Sequence, residues 1–203
     1  MANNNLSIGI MGGTFDPIHN GHLLTAECAA HQYNLDKVVF VPSGSPPHKT
    51  EQNITSGERR YIMATLATIG NPKFNVSRME IDRTGLSYTI DTVREFKKNY
   101  PGAKIYFITG ADAILEIFTW KKPGDLLEET EFIAASRPGY CLSELGQEIY
   151  DAYRDNIHIL QIPNLAISST DIRNRVKTGR TIKYQLPQEV ETFIKKHNLY
   201  LEE

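Results

Sequence analysis

GGTFDPIHNGH, residues 12–22, stands directly behind LSIGIM, residues 6–11. The first run is short and apolar, as a buried strand requires. The second holds three glycines, two histidines three positions apart, a proline and only Phe15 and Ile18 as apolar side chains, so it has little to bury. A strand feeding so polar a segment predicts a turn at the strand's carboxyl end and a helix beginning near His19. The alternation continues outward. Short β-branched runs recur at SIGIM, KVVFVPS, FNVSRMEI, AKIYFITG, EFIAAS and HILQIP, each separated by a stretch able to hold a helix. Strands alternating with helices predict an α/β fold, an open, mostly parallel sheet with helices on both faces.

The intervening segments carry helix signals of their own. Thr55 and Glu58 have capping-box spacing, after which Ile62, Leu66 and Ile69 recur on one face. Ile90, Val93, Phe96 and Tyr100 form the next stripe, stopped by Pro101 and Gly102. A helical C-terminal part follows from SSTDIRNRVKTG and LPQEVETFIKKHNL, with Gly179 closing the first helix and Pro187 opening the second. The Pro- and Ser-rich segment from Ser43 to Gly57 reads as a long loop, the kind that often serves function.

With 203 residues, 40% hydrophobic and 23% charged, the chain can bury a core without cross-links, and without a linker, repeat or low-complexity tract it reads as one domain, residues 1–203. A net charge of −2 argues against a protein that coats nucleic acid or an anionic membrane. The two cysteines, Cys28 and Cys141, lie in no disulfide or zinc spacing and read as packing residues of a reducing compartment. MANNNLS has no secretory pattern and no run is long enough to span a membrane, so a cytoplasmic location is expected.

Open α/β sheets bind ligands at the carboxyl ends of their strands, where the opening segment lies. Gly12 and Gly13 permit a close backbone approach, and a helix starting near His19 directs free N–H groups and its positive dipole end to the same space. His19 and His22 share one side of the first turn, with Gly21 leaving room between them. The segment therefore reads as a phosphate cradle. A metal site would need a third ligand, which is not evident, and GIMGGTFD supplies neither a G-x-G-x-x-G fingerprint nor a P-loop.

HNGH matches the HxGH signature, and with PPHK (residues 46–49), SYTIDT (87–92), GAD (110–112), Trp120, SRPG (136–139) and ISSTDIR (167–173) the chain resembles the HxGH nucleotidyltransferase superfamily. Within it the pattern is similar to the bacterial nicotinate-nucleotide adenylyltransferases over nearly the whole chain. The resemblance implies a Rossmann-like fold and transfer of AMP from ATP to nicotinate mononucleotide, giving deamido-NAD and pyrophosphate in NAD biosynthesis. Catalytic roles then fall to His19, His22, Lys49 and Arg173. For ATP the resemblance implies Gly12, Gly13, Thr14, Phe15, Gly110, Asp112, Ile167, Ser168, Ser169 and Thr170 beside the histidines and Arg173. For the mononucleotide it implies Thr14, Asp16, Ser43, Lys49, Thr89, Trp120, Lys121 and Arg137.

The chemistry suits those residue types. The attacking phosphate oxygen is already ionised near pH 7, so catalysis rests on position and charge neutralisation. Magnesium is expected to arrive with ATP, held mainly by phosphates and water, with Asp16 the nearest outer-shell candidate. Relatives commonly carry a second aromatic soon after the tryptophan, whereas Lys121, Lys122 and Pro123 follow here. That departure keeps a dual-specificity enzyme for acid and amide mononucleotides in view. A phosphopantetheine adenylyltransferase or a nucleotide-binding sensor would share the glycine turn, and a homo-oligomer is compatible with each of these readings.

Overall fold

The computed structural model of the chain describes residues 6–46, 54–136, 153–163 and 165–201. Lys49, Arg137 and Cys141 lie outside the described residues. Six strands form one sheet: β1 (Ser7–Gly13), β2 (Lys37–Pro42), β3 (Phe74–Val76), β4 (Lys104–Gly110), β5 (Glu131–Ser136) and β6 (Ile157–Gln161). Their order is β3-β2-β1-β4-β5-β6 with every pairing parallel. The sheet reverses direction of growth between β1 and β4, and a cleft opens there at the carboxyl ends.

Alternation along the central strands builds two cores. Ile8, Ile10, Val39, Val41, Ile105 and Phe107 face one layer, with Ile90, Val93 and Phe96 of α4 (Thr89–Asn99) against them. Met11, Val38, Phe40, Tyr106 and Ile108 face the other, beneath α1 (Asn20–Gln32) and α2 (Gly57–Thr68). Each fully buried Ile or Phe contributes about 1.5–3 kcal/mol relative to exposure. Helix α1 meets the sheet through small residues, Ala26, Ala29 and Ala30. At Gly9 a Cβ would come within 2.7 Å of Ile108 Cδ1 and 2.8 Å of Leu35 Cδ1, so the strand can spare no room for a side chain there.

Three local expectations are corrected. FNVSRMEI is strand only to Val76; Met79–Asp82 forms the short helix α3. Helix α2 is capped by Ser56, whose hydroxyl accepts from Arg59 N, rather than by Thr55. Its buried face is Arg60, Met63, Ala64 and Thr68, while Ile69 is 78% exposed, because the helix turns toward loop carbonyls as well as toward the sheet. Helices α5 (Ala111–Leu115) and α6 (Pro123–Glu129) follow β4. The C-terminal pair is α7 (Ser169–Lys177) and α8 (Gln188–Lys196). Gly179, with φ +67°, closes α7, and Pro187 caps α8 from just outside it.

Candidate active site

β1 ends at Gly13, and the chain turns through Phe15, whose φ is +50°, before α1 starts behind His19. The left-handed residue of this turn is thus Phe15, while Gly12 and Gly13 remain in the strand. Their smallness is still required, since a Cβ at Gly12 would meet Phe107 Cζ at 2.9 Å and one at Gly13 would meet Phe15 Cε1 at 2.9 Å. The Phe15 ring is buried and packs on Phe40, so its side chain is core and only its backbone can serve the cleft.

The imidazoles of His19 and His22 stack at a centroid distance of 3.7 Å and 23°, and Phe15 abuts His22 edge-on at 5.1 Å. A Cβ at Gly21 would lie 3.0 Å from His19 Nδ1. His22 Nδ1 accepts from the His19 backbone N–H at 3.2 Å, which leaves the ring proton of neutral His22 on Nε2. His19 Nδ1 is buried with no hydrogen-bond partner. Burial brings His19 down from 6.5 to about 4. The same loss of water, with His19 as a second cause, puts His22 well below its ordinary value. Both rings are therefore neutral at pH 7.

Two cavities meet beside this pair, and Gly12 and Thr109 line both. The larger, about 560 Å³, is lined by Gly12, His19, His22, Gly110, Asp112, Ile167, Ser168 and Ser169, all expected on the ATP side. The smaller, about 380 Å³, is lined by Gly13, Thr14, Ser43, Thr89, Trp120 and Lys121. Gly13, expected at ATP, thus lines the second cavity together with Thr14, expected at both substrates. Thr170 and Arg173 line neither, although both stand at the start of α7. Sequence reasoning missed Thr109, Glu80 and Glu116, which line these walls without a motif to announce them, and quoted Ser87 within SYTIDT without giving it a role.

Much of the surrounding polarity is committed to holding the loops. Ser168 caps α7 by accepting from Asp171 N at 3.1 Å, and Ser169 donates to Pro17 O at 2.8 Å. Arg173 Nη1 donates to Asp16 O at 2.7 Å, and its Nη2 approaches Thr170 Oγ1 at 3.4 Å. Asp16 is only 5% exposed; its carboxylate accepts from Tyr200 OH at 2.6 Å and from Thr55 N at 3.1 Å. Each oxygen holds a protein donor, so the structure shows Asp16 bracing the turn. Arg60, 1% exposed, donates to the carbonyls of Thr55, Thr14 and Ser43 at 2.7, 2.7 and 2.6 Å and to Gly44 at 3.3 Å. Lys121 pairs with Asp91 at 3.0 Å and lies 4.2 Å above the Tyr88 ring centroid. Among the described residues no group of three His, Cys, Asp or Glu side chains is gathered to hold a metal, and no helix is long and apolar enough to cross a membrane.

The cytidylyltransferase-like family model matches residues 10–175, the span that carries every one of these cleft residues. The chain belongs to that family. A probable nicotinate-nucleotide adenylyltransferase from Moorella thermoacetica is 57% identical over 197 residues, covering 95% of this chain and 91% of the relative. One from a Thermoanaerobacter species is 55% identical over 199 residues, 96% of this chain and 94% of its own length. At those identities this member of the family belongs with the nicotinate-nucleotide adenylyltransferases. Its fold is similar to that of Plasmodium falciparum nicotinic acid mononucleotide adenylyltransferase complexed with NaAD, with a TM-score of 0.80 and 24% identity over 96% of this chain and 97% of the other.

Proposed function

We propose that the chain transfers AMP from ATP to nicotinate mononucleotide, releasing pyrophosphate and forming nicotinate adenine dinucleotide. The observation that carries the reading is the pair of cavities with a common wall at Gly12 and Thr109, beside the stacked histidines. A two-substrate reaction with attack at one phosphorus needs two adjoining pockets and a donor set at their junction. The relatives' shared name supplies the substrates.

In the transfer, a phosphate oxygen of the mononucleotide attacks the α-phosphorus of ATP. The new P–O bond forms as the bond from the α-phosphorus to the α,β-bridging oxygen breaks, and pyrophosphate leaves with that electron pair. No proton is removed from the nucleophile, which is ionised at neutral pH. Neutral His22 offers its Nε2–H to the phosphates. His19, which lines the same cavity as His22, can meet the growing charge in the same way. The first-turn amides of α7 and the remaining donors of Arg173 suit the departing pyrophosphate. Asp112 and Gly110 suit the adenosine end of the larger cavity, and Trp120 offers the pyridine a flat face in the smaller. Lys49 and Arg137 are proposed as further cations from the resemblance. Magnesium enters as part of the MgATP substrate, coordinated by phosphate oxygens and water, since the nearby Asp16 carboxylate is engaged by Tyr200 and Thr55.

Incubating the purified chain with ATP, magnesium and nicotinate mononucleotide tests this. Stoichiometric pyrophosphate and a dinucleotide of the expected mass support it. Pyrophosphate without dinucleotide, or product only with phosphopantetheine, contradicts it.

A further inference from the structure

Glu80 is a buried carboxylate on the wall of the smaller cavity, and nothing in the transfer chemistry uses it. It belongs to α3 and is 6% exposed. Its environment can be accounted for proton by proton. Ser87 Oγ accepts from Gly44 N at 3.0 Å and from Ser45 N at 3.3 Å, which ties the start of α4 to the loop after β2. Thr92 Oγ1 accepts from Arg83 Nη1 at 3.2 Å and donates to Glu80. The Thr92 hydroxyl therefore reaches Glu80 as a donor, and the carboxyl group accepts it in a site where burial pushes its pKa up.

Those two hydroxyls bracket the start of α4. Ser87 precedes the N-cap Tyr88, and Thr92 closes the first turn. The amides of Thr89 and Ile90 between them have no intrahelical acceptor, and Thr89 lines the same cavity as Trp120. The third tie is backbone: a Cβ at Gly44 would sit 2.0 Å from Glu80 O, so the loop after β2 lies directly on α3. Glu80 thus ties α3 to the first turn of α4 through Thr92, while its backbone packs against the loop after β2.

We propose that Glu80 is the positioning residue that sets the acid-over-amide preference of the mononucleotide cavity, by holding the start of α4 so that the amide of Thr89, on the cavity wall, donates to a pyridine carboxylate. The inference rests on the mononucleotide reading above. Charge alone predicts the opposite effect, because a carboxylate near an anion-binding wall repels the acid substrate. Glutamine at position 80 keeps the shape, removes the charge and weakens the acceptor for the Thr92 hydroxyl, so geometry and charge give opposite signs.

The test is steady-state kinetics of the full chain and Glu80→Gln with ATP, nicotinate mononucleotide and its amide, together with melting temperatures. The expected result is a KM for the acid raised about tenfold, or about 1.4 kcal/mol, with the KM for ATP and kcat within about threefold. The acid-to-amide ratio of kcat/KM falls by the same factor. Thr92→Val, which removes the hydroxyl donor to Glu80 without touching the cavity wall, is expected to lower the ratio in the same direction and decides the matter if Glu80→Gln does not fold. An unchanged ratio, equal losses on both mononucleotides and ATP, or tighter binding of the acid overturns the proposal. Those outcomes leave the mononucleotide reading intact, whereas a wild-type chain that turns over neither mononucleotide removes both.

Discussion

Replacing His19 with asparagine is expected to make the protein less sensitive to acid. In the folded chain the His19 imidazole titrates near 4 instead of 6.5, because protonation would put a charge where burial has removed the water. A depressed folded value means that between these two pH values the unfolded chain takes up a proton that the folded chain refuses. Stability is therefore full above pH 6.5 and falls as the pH drops toward 4. The whole gap corresponds to about 3 kcal/mol, of which about 2 kcal/mol is lost between pH 7 and pH 5. His22 adds to the loss in the same direction. Urea unfolding of wild type and His19→Asn at pH 7 and pH 5 reads the His19 share together with its effect on His22, since the carboxylates titrate alike in both. Wild type is expected to lose about 2 kcal/mol more than the variant over that interval. Equal losses would mean that His19 carries its proton freely in the folded state, and the neutral, stacked pair would have to be abandoned.

Other perturbations follow from the same geometry. His22→Ala is expected to lower kcat at least about 100-fold with an unchanged circular dichroism spectrum, as for loss of one preorganised donor; near-normal turnover would remove His22 from the reaction. Arg173→Ala is expected to raise the KM for ATP more than that for the mononucleotide, since its guanidinium stands at the start of α7; matched changes in both constants would count against that role. Arg60→Met leaves the carbonyls of Thr14, Ser43, Gly44 and Thr55 without their donor and is expected to cost at least about 3 kcal/mol in denaturant unfolding. A loss below about 1 kcal/mol would show that water replaces the guanidinium.

The parts of this architecture that sequence made legible are those encoded by local periodicity. The apolar run before Gly12 and the stripe of Ile90, Val93 and Phe96 each need only their own neighbours to declare strand or helix, and both are buried as their spacing requires. The smaller cavity gathers Thr89 and Trp120 with Thr14 because the parallel order of the sheet brings distant strand ends together. What escaped is long-range and polar. Arg60 sits in GERRY, where its charge suggests solvent, yet four loop carbonyls replace water around it. The brace between Asp16 and Tyr200, 184 positions away, has no local signal either. Ile62, Leu66 and Ile69 form a convincing stripe on paper, but the buried face is Arg60, Met63, Ala64 and Thr68, with Leu66 partly buried against the core and Ile69 exposed. The contact of Gly44 with Glu80 leaves no sequence signal beyond one glycine in a loop.

The central claim is adenylyl transfer to the acid form of a pyridine mononucleotide. It is tested most directly by comparing kcat/KM for nicotinate and nicotinamide mononucleotides at fixed MgATP. A carboxylate accepts from every amide it faces, whereas the amide substrate sets its NH2 against donors at a cost of about 1–3 kcal/mol per mismatch. Two mismatches give an expected preference for the acid of about a hundredfold or more. A ratio near one, or turnover of the amide alone, would contradict the account.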